Sequence, residues 1–464
     1  MESAASTSLF SRRAGVLAHV SSLPGPATLG EPALRFLDWC AAAGLSLWQV
    51  LPLGPPGPGN SPYSGTSAFA GNPQLYPGSL ERDWRRFERD AGEAERRELE
   101  AFVDSPERAV WLADWTLYSA LKEQHDGRAW PLWDPELRRR DAAAIRSAER
   151  RLDERRRFHA WVQYALDIEA RRTRAAAEQR GIVWVGDLPF YVALDSADVW
   201  ARREFFRVDG DGHPEATAGF PPDAFSDDGQ CWNHPLFNWA TLAEHGYDWW
   251  IARCRAALGW VHALRLDHFR GYRSFWEIPP HAATAAAGRW LEGPGETLFE
   301  YVREAGLTDV LFAEDLGKID DDVHRLRERY GFPRMHVLQF GLDDETSLHH
   351  PSNHETHAVA CTGTHDNDTF AGWFDSLDEA TQVIVREQLG SNSPPALAAV
   401  ECAWTSPAAW AVAPLQDLLG LGSEARMNRP GEADGQWGWR CPEGALTDDR
   451  AARLLELARR HGRI

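Results

Sequence analysis

The stretch WVHALRLDHFRG, Trp260 to Gly271, opens as an apolar run of strand type and closes in a crowd of polar and charged side chains. Successive side chains of a strand alternate between faces, so Arg265 and Asp267 share one side while Leu264 and Leu266 take the other. A guanidinium beside an acid at the tip of an apolar strand favours the ionised carboxylate, the state that a carboxylate nucleophile needs. A purely structural Arg–Asp pair explains this one stretch equally well.

The pattern recurs. IVWVGDLPFYV (Ile182 to Val192) ends its apolar run at Asp187, VLFAEDLG (Val310 to Gly317) at Glu314 and Asp315, and VACTGTHDNDT (Val359 to Thr369) at His365, Asp366 and Asp368. Four apolar runs therefore deliver carboxylates just past the run, with Gly, Pro or Asn close behind. A parallel barrel gathers the C-terminal ends of its strands into one mouth, where such barrels do their chemistry. One shared acidic site follows, and the expected fold is α/β, a (β/α)8 TIM barrel with helical and loop insertions.

The rest of the chain supplies the other strands. AGVLAHV (Ala14 to Val20), a helix at Pro32 to Ala43 and LSLWQVLPL (Leu45 to Leu53) make a β-loop-α-β unit of a parallel sheet. With Met335 to Leu342, the run at Val359 and Trp410 to Leu419 the count reaches eight strands, and Asp448 to His461 is a closing helix. The loop Gly54 to Gly71 has the length and irregularity of a binding loop. Residues 80–180, rich in Arg, Glu and Ala with apolar residues at helical spacing, are expected to form a helical insertion subdomain within a single catalytic barrel over 1–464. Residues 205–240 are expected to be an irregular active-site loop insertion, and Gly271 to Pro280 another loop.

Bulk properties narrow the function. The 464 residues carry 49 basic and 69 acidic side chains, a net charge of −20, which excludes the basic face a nucleic-acid partner needs. A neutral ligand fits best. The 22 Trp residues provide flat faces suited to sugar rings, although Trp is equally ordinary core filling. Six Cys at 40, 231, 254, 361, 402 and 441 show no metal-type spacing and read as free thiols of a reducing compartment. The start, MESAASTSLFSRR, lacks the apolar core of a signal peptide, and the uncharged Trp39 to Pro58 is broken by Gly and Pro, so no membrane span is expected and the location read is cytoplasmic. No cofactor and no metal is implied; His349 and His350 read as part of a solvated loop rather than a metal pair.

Acids at adjacent strand ends suit retaining chemistry on glycosidic bonds. There one carboxylate attacks the anomeric carbon, a second about 5–5.5 Å away protonates the leaving oxygen, and others grip sugar hydroxyls. At this point the motifs SPYSGTSAFAGNP, GDLPFYVALDSADVW, PPDAFSDDGQCW, RLDHFRG, AEDLG and GTHDNDT, in this order between SSLPGP and RMNRPG, resemble the amylomaltases or 4-α-glucanotransferases, relatives of the α-amylases. The similarity spans nearly the whole chain. It implies a retaining transferase moving α-1,4-glucan segments of maltodextrin, starch- or glycogen-derived, to the 4-hydroxyl of another sugar. It makes Asp267 the nucleophile, Glu314 the general acid and base, and Asp366 the transition-state stabiliser. It further implies that Arg265 holds Asp267 ionised, that His268, His365 and Asn367 bind donor-sugar hydroxyls, and that Asp187 has a supporting or binding role. Tyr63 would stack on the donor sugar, Gln230 and Trp232 would line the acceptor side, and Asn428 would reach in from the last loop.

Tyr63 and Trp232 could instead simply pack loops onto the barrel, and Asp315 and Asp368 read as caps or supporting partners rather than catalysts. Three positions depart from the family pattern: Arg429 where Thr is usual, Asn233 where Gly commonly follows the Trp, and Cys361 where Tyr is common. A hydrolase with the same acids and water as acceptor is the competing activity. A catalytically dead glucan-binding protein would have lost one of Asp267, Glu314 or Asp366, and all are present.

Overall fold

Short parallel strands surround an apolar axis. They are β1 (Arg13–Leu17), β2 (Leu47–Gln49), β3 (Val183–Leu188), β4 (Ala263–Leu266), β5 (Leu311–Ala313), β6 (Arg334–Val337), β7 (Ala358–Cys361) and β8 (Trp410–Pro414). This computed structural model describes residues 9–222, 227–432 and 435–464, so residues 223–226 of the PPDAFSDDGQCW motif lie outside the described residues. The eight-stranded sheet runs β6-β7-β8-β1-β2-β3-β4-β5, every pairing parallel. Between β5 and β6 the ring is closed by Ala313 N–H donating to the Pro333 carbonyl at 3.0 Å. Beside it the Met335 N–H donates to the Asp315 carboxylate at 2.9 Å. The fold is a (β/α)8 barrel.

Alternation decides what fills it. Leu17, Leu47, Val183, Val185, Ala263, Phe312, Met335, Val337, Val359, Cys361 and Val412 form one buried cluster inside the ring. Their intervening neighbours, such as Trp48, Trp184 and Leu264, pack outward against the helices. Cys361 is thus barrel filling, and its thiol is pushed up to about 12 by burial. Most of the Trp load is also structural: Trp48, Trp130, Trp184, Trp200, Trp250, Trp404 and Trp410 are fully buried.

Helices connect successive strands, including Glu31–Ala42, the long Asp153–Gln179 that ends the helical run begun at Leu80, and Asp248–Leu258, while Asp448–Arg460 follows the last strand as the closing helix. Between β6 and β7 the chain makes only 3-10 turns. There the histidines take the place of a helix, which corrects the expectation of a solvated loop. His350 and His354 are buried, His336 and His354 stack at 4.3 Å, and His349 Nδ1 accepts the Val337 N–H at 3.2 Å.

A second correction concerns residues 205–240 and 271–280, expected as irregular loops. They contribute to a four-stranded antiparallel sheet over the barrel mouth, with Thr217–Phe220, Gln230–Pro235, Ser274–Ile278 and Arg289–Glu292, the strand 230–235 at one edge. Gly219 permits the close approach, since a Cβ there would lie 2.1 Å from the Gln230 carbonyl oxygen. Thr217 faces Pro235 and Gly219 faces Cys231, so Trp232, Asn233 and His234 form a bulge. Asn233 sits in the bulge at φ 58°, a left-handed conformation that Gly adopts freely and Asn tolerates. Among the described residues no helix is long and apolar enough to cross a membrane.

Candidate active site

The register of β3, β4 and β5 brings three acids round one cation. Asp187 lies opposite Arg265 across the β3–β4 ladder. Arg265 Nη1 donates to Asp187 Oδ1 at 2.9 Å and Oδ2 at 2.8 Å, and to Asp267 Oδ1 at 2.9 Å. Its Nη2 lies 3.7 Å from Glu314 Oε2. The Arg265 side chain is 5% exposed and Asp187 fully buried, whereas Asp267 and Glu314 keep 21% and 13% exposure toward the mouth. Two acids therefore face the mouth and one supports the guanidinium from below.

One cation cannot balance three ionised carboxylates in a dry site, so a proton is retained. Burial pushes Glu314 up to about 8; the Asp267 charge adds to this, while Arg265 and the His268 and Leu316 N–H groups oppose it. Those N–H groups donate to Glu314 at 2.8 and 3.0 Å. Burial also pushes the Asp187 carboxyl upward, against Arg265 and against the Tyr63 hydroxyl that donates to it at 2.8 Å. The arrangement sets an ion-paired carboxylate, Asp267, beside an acid that keeps its proton at neutral pH, Glu314. Such a pair can attack a carbon and protonate a leaving oxygen.

His268 follows Asp267 in a left-handed conformation, φ 47°. Its ring is wedged between Trp232 at 4.9 Å, Phe190 at 5.8 Å and Phe220 at 6.2 Å. Burial drops its pKa to about 4, and among the described residues its Nε2 is buried with no hydrogen-bond partner. Gly271 of the same motif is required by this packing, because a Cβ there would lie 2.8 Å from the His268 ring.

The opposite wall comes from the loops after β2, β7 and β8. Tyr63 stacks on His365 at 4.8 Å and 17°, so its ring rests on the site even while its hydroxyl serves Asp187. Asp366 Oδ1 accepts from Asn428 Nδ2 at 2.6 Å, and Oδ2 lies 3.4 Å from His365 Nε2; its side chain is 46% exposed, facing the cleft. Asn367 Oδ1 accepts from the Thr364 N–H and hydroxyl, which shapes the turn carrying Asp366. Gln230 and Trp232 sit together on the bulged edge strand, the indole N–H donating to Gln230 Oε1 at 3.0 Å. Asp315, held by Arg327 and Arg334, and Asp368, which accepts from Ser423, are supporting partners as expected.

Three residues of this site escaped the sequence reading. Arg426 donates to the Asp366 carbonyl at 2.6 Å and the Asn428 carbonyl at 2.7 Å, fixing both loops; only its place two residues before Asn428 in RMNRPG hints at this. Trp437, at φ 64°, leans on Tyr63 and His365 at 5.8 Å each. His234 reaches Ser64, the neighbour of Tyr63. Arg429, the cation beside Asn428, is half exposed and lies 3.9 Å from Glu432. Among the described residues no three His, Cys, Asp or Glu side chains converge to hold a metal.

Comparison with known proteins agrees with this geometry. A family profile described as 4-alpha-glucanotransferase matches residues 18–80 and 77–447. The 4-alpha-glucanotransferase of Thermus thermophilus is 40% identical over 492 residues, covering 96% of this chain and 98% of the relative. That of Aquifex aeolicus is 41% identical over 467 residues, covering 93% and 96%. An amylomaltase from Streptococcus agalactiae, solved in complex with acarbose, superposes with a TM-score of 0.93 at 32% identity, covering 97% of this chain and 99% of that one. Barrel, strand-end acids and full-length similarity converge: the chain belongs to the 4-α-glucanotransferase family.

Proposed function

We propose that this protein transfers α-1,4-glucan segments from a maltodextrin donor to the 4-hydroxyl of glucose or another glucan, with retention, in a single catalytic domain that carries residues 80–180 as a helical subdomain. The observation that carries the reading is the Arg265 cluster, in which Asp267 is ion-paired while burial raises Glu314 to about 8.

Asp267 attacks the anomeric carbon as Glu314 gives its proton to the departing glycosidic oxygen, leaving a covalent glycosyl-enzyme. Asp366, with His365 and Asn428 beside it, steadies the positive charge that develops on the sugar. Formation of the ester removes the Asp267 charge, one of the influences that raise Glu314. Glu314 is then a weaker acid's conjugate no longer, and as a carboxylate it accepts the proton of the incoming 4-hydroxyl while that oxygen displaces Asp267. Tyr63 and His268 line the donor sugar, Asn367 shapes the donor-side turn, and Gln230 with Trp232 receives the acceptor.

The family assignment favours transfer over hydrolysis. Incubation with maltotriose tests the reading: glucose plus a ladder of longer maltodextrins, with little net gain of reducing ends, is expected. Steady growth of reducing ends without longer products would replace it with a hydrolase.

A further inference from the structure

His234 lies outside the set of groups that touch the reacting sugar, yet it is buried within the field of Asp267. Its Nε2 is 3.0 Å from Ser64 Oγ. The two residues belong to opposite sides of the cleft. Ser64 follows Tyr63, whose ring is pinned on His365 and whose hydroxyl is pinned on Asp187. His234 belongs to the bulge that also holds Trp232, on the edge strand of the antiparallel sheet. An edge strand has a sheet neighbour on one side only, and a bulge removes ladder bonds from that side as well. Trp232 and His234 both rest on Tyr191, at 6.1 and 6.0 Å, which holds the bulge from within. Ser64 holds it from the donor side.

We propose that the Ser64–His234 hydrogen bond positions the Trp232 strand against the Tyr63 loop, and so sets how well an incoming sugar hydroxyl competes with water for the glycosyl-enzyme. This rests on the glucanotransferase reading above. His234 is a positioning residue: it acts through Trp232 and Gln230, which it holds at the acceptor side. The ring does this work uncharged, since burial lowers its pKa to about 4. A loosened strand leaves the donor half-reaction its Arg265 cluster but presents the acceptor with a mobile wall. Water, which needs no wall, then gains.

The test uses the full-length protein with maltotriose as donor and glucose as added acceptor. Ser64→Ala and His234→Phe each remove the bond. Each should raise the ratio of hydrolysis to transfer and the acceptor KM by about fivefold, the worth of one ordinary hydrogen bond, with donor KM and melting temperature near those of the wild type. The double variant should match either single variant, because both delete the same contact. His234→Gln, whose amide can reach Ser64, should restore transfer. Unchanged ratios in both single variants, or effects that multiply in the double variant, overturn the proposal while wild-type transfer stands. A wild type that makes no longer maltodextrins overturns the transferase reading and this proposal with it.

Discussion

Arg265→Met is the most informative single substitution in the molecule. Methionine keeps most of the apolar stem but removes the guanidinium that Asp187, Asp267 and Glu314 share. Deleting one partner of a buried ion pair costs about 3–5 kcal/mol, because the other is left uncompensated. Here the cost should depend on pH in a defined direction. Asp187 and Glu314 are already raised by burial, and Arg265 is the main influence pulling them down. Without it their folded pKa values climb further above unfolded values near about 4. The folded variant then binds more protons than the unfolded chain, so its stability falls as pH rises through that window. The deficit should be smallest near about pH 5 and grow toward about pH 9, by about 1.4 kcal/mol for each unit of added shift. Urea unfolding followed by Trp fluorescence across that range measures it. A deficit that stays constant with pH would mean that lost packing, not lost charge, is responsible, and the account of the site as one cation balancing three acids would fail.

Activity supplies a second test: transfer from maltotriose should fall about tenfold per pH unit above about 8, as Glu314 loses the proton it must donate. A maltosyl fluoride donor, whose leaving group needs no proton, should lack that limb, and matching limbs would remove Glu314 from the acid role. At the bulge, Asn233→Gly should change stability by less than about 1 kcal/mol, whereas Asn233→Val should cost about 1–2 kcal/mol through its left-handed φ of 58°; equal thermal denaturation midpoints would contradict this strain. Behind β6 and β7, burial holds His336 at about 2 and His349 and His354 at about 4, below the unfolded value of 6.5. Their contribution is complete above pH 6.5 and is lost as pH falls toward 4, so His336→Phe should flatten the acid slope of the melting temperature.

What was legible in the sequence follows from range. Arg265 and Asp267 share a strand face by local alternation, and the acids at Asp187, Glu314 and Asp366 end apolar runs of strand length, so both barrel and site could be read from neighbours in the chain. The antiparallel sheet could not. Its strands span four to six residues, and Gly219 and Asn233 break the alternation at the bulge. Arg426 was hidden for a related reason: a guanidinium two residues from Asn428 looks like any surface Arg until the β7 loop is folded against it. His350 was misjudged because its burial comes from a segment without a helix between β6 and β7, which no local pattern announces. Asn367 belonged to the site but spends its carbonyl oxygen on its own turn.

The seam between β5 and β6 bears on how the barrel breathes. Along the ladders of the ring most peptide groups bond to peptide groups; at this seam Ala313 keeps such a bond, but the Met335 amide hangs on a side chain, Asp315, next to Glu314 in the chain. A carboxylate on rotatable bonds lets go more readily than a ladder of carbonyls. In deuterium exchange the Met335 and Ala313 amides should therefore report opening events that the β1–β8 ladder does not share. Glu314 sits at the lip of that seam, so each excursion would swing the acid group away from the bond it protonates. Equal protection of Met335 and of the Val16 amide in β1 would show the seam to be as firmly zipped as the rest.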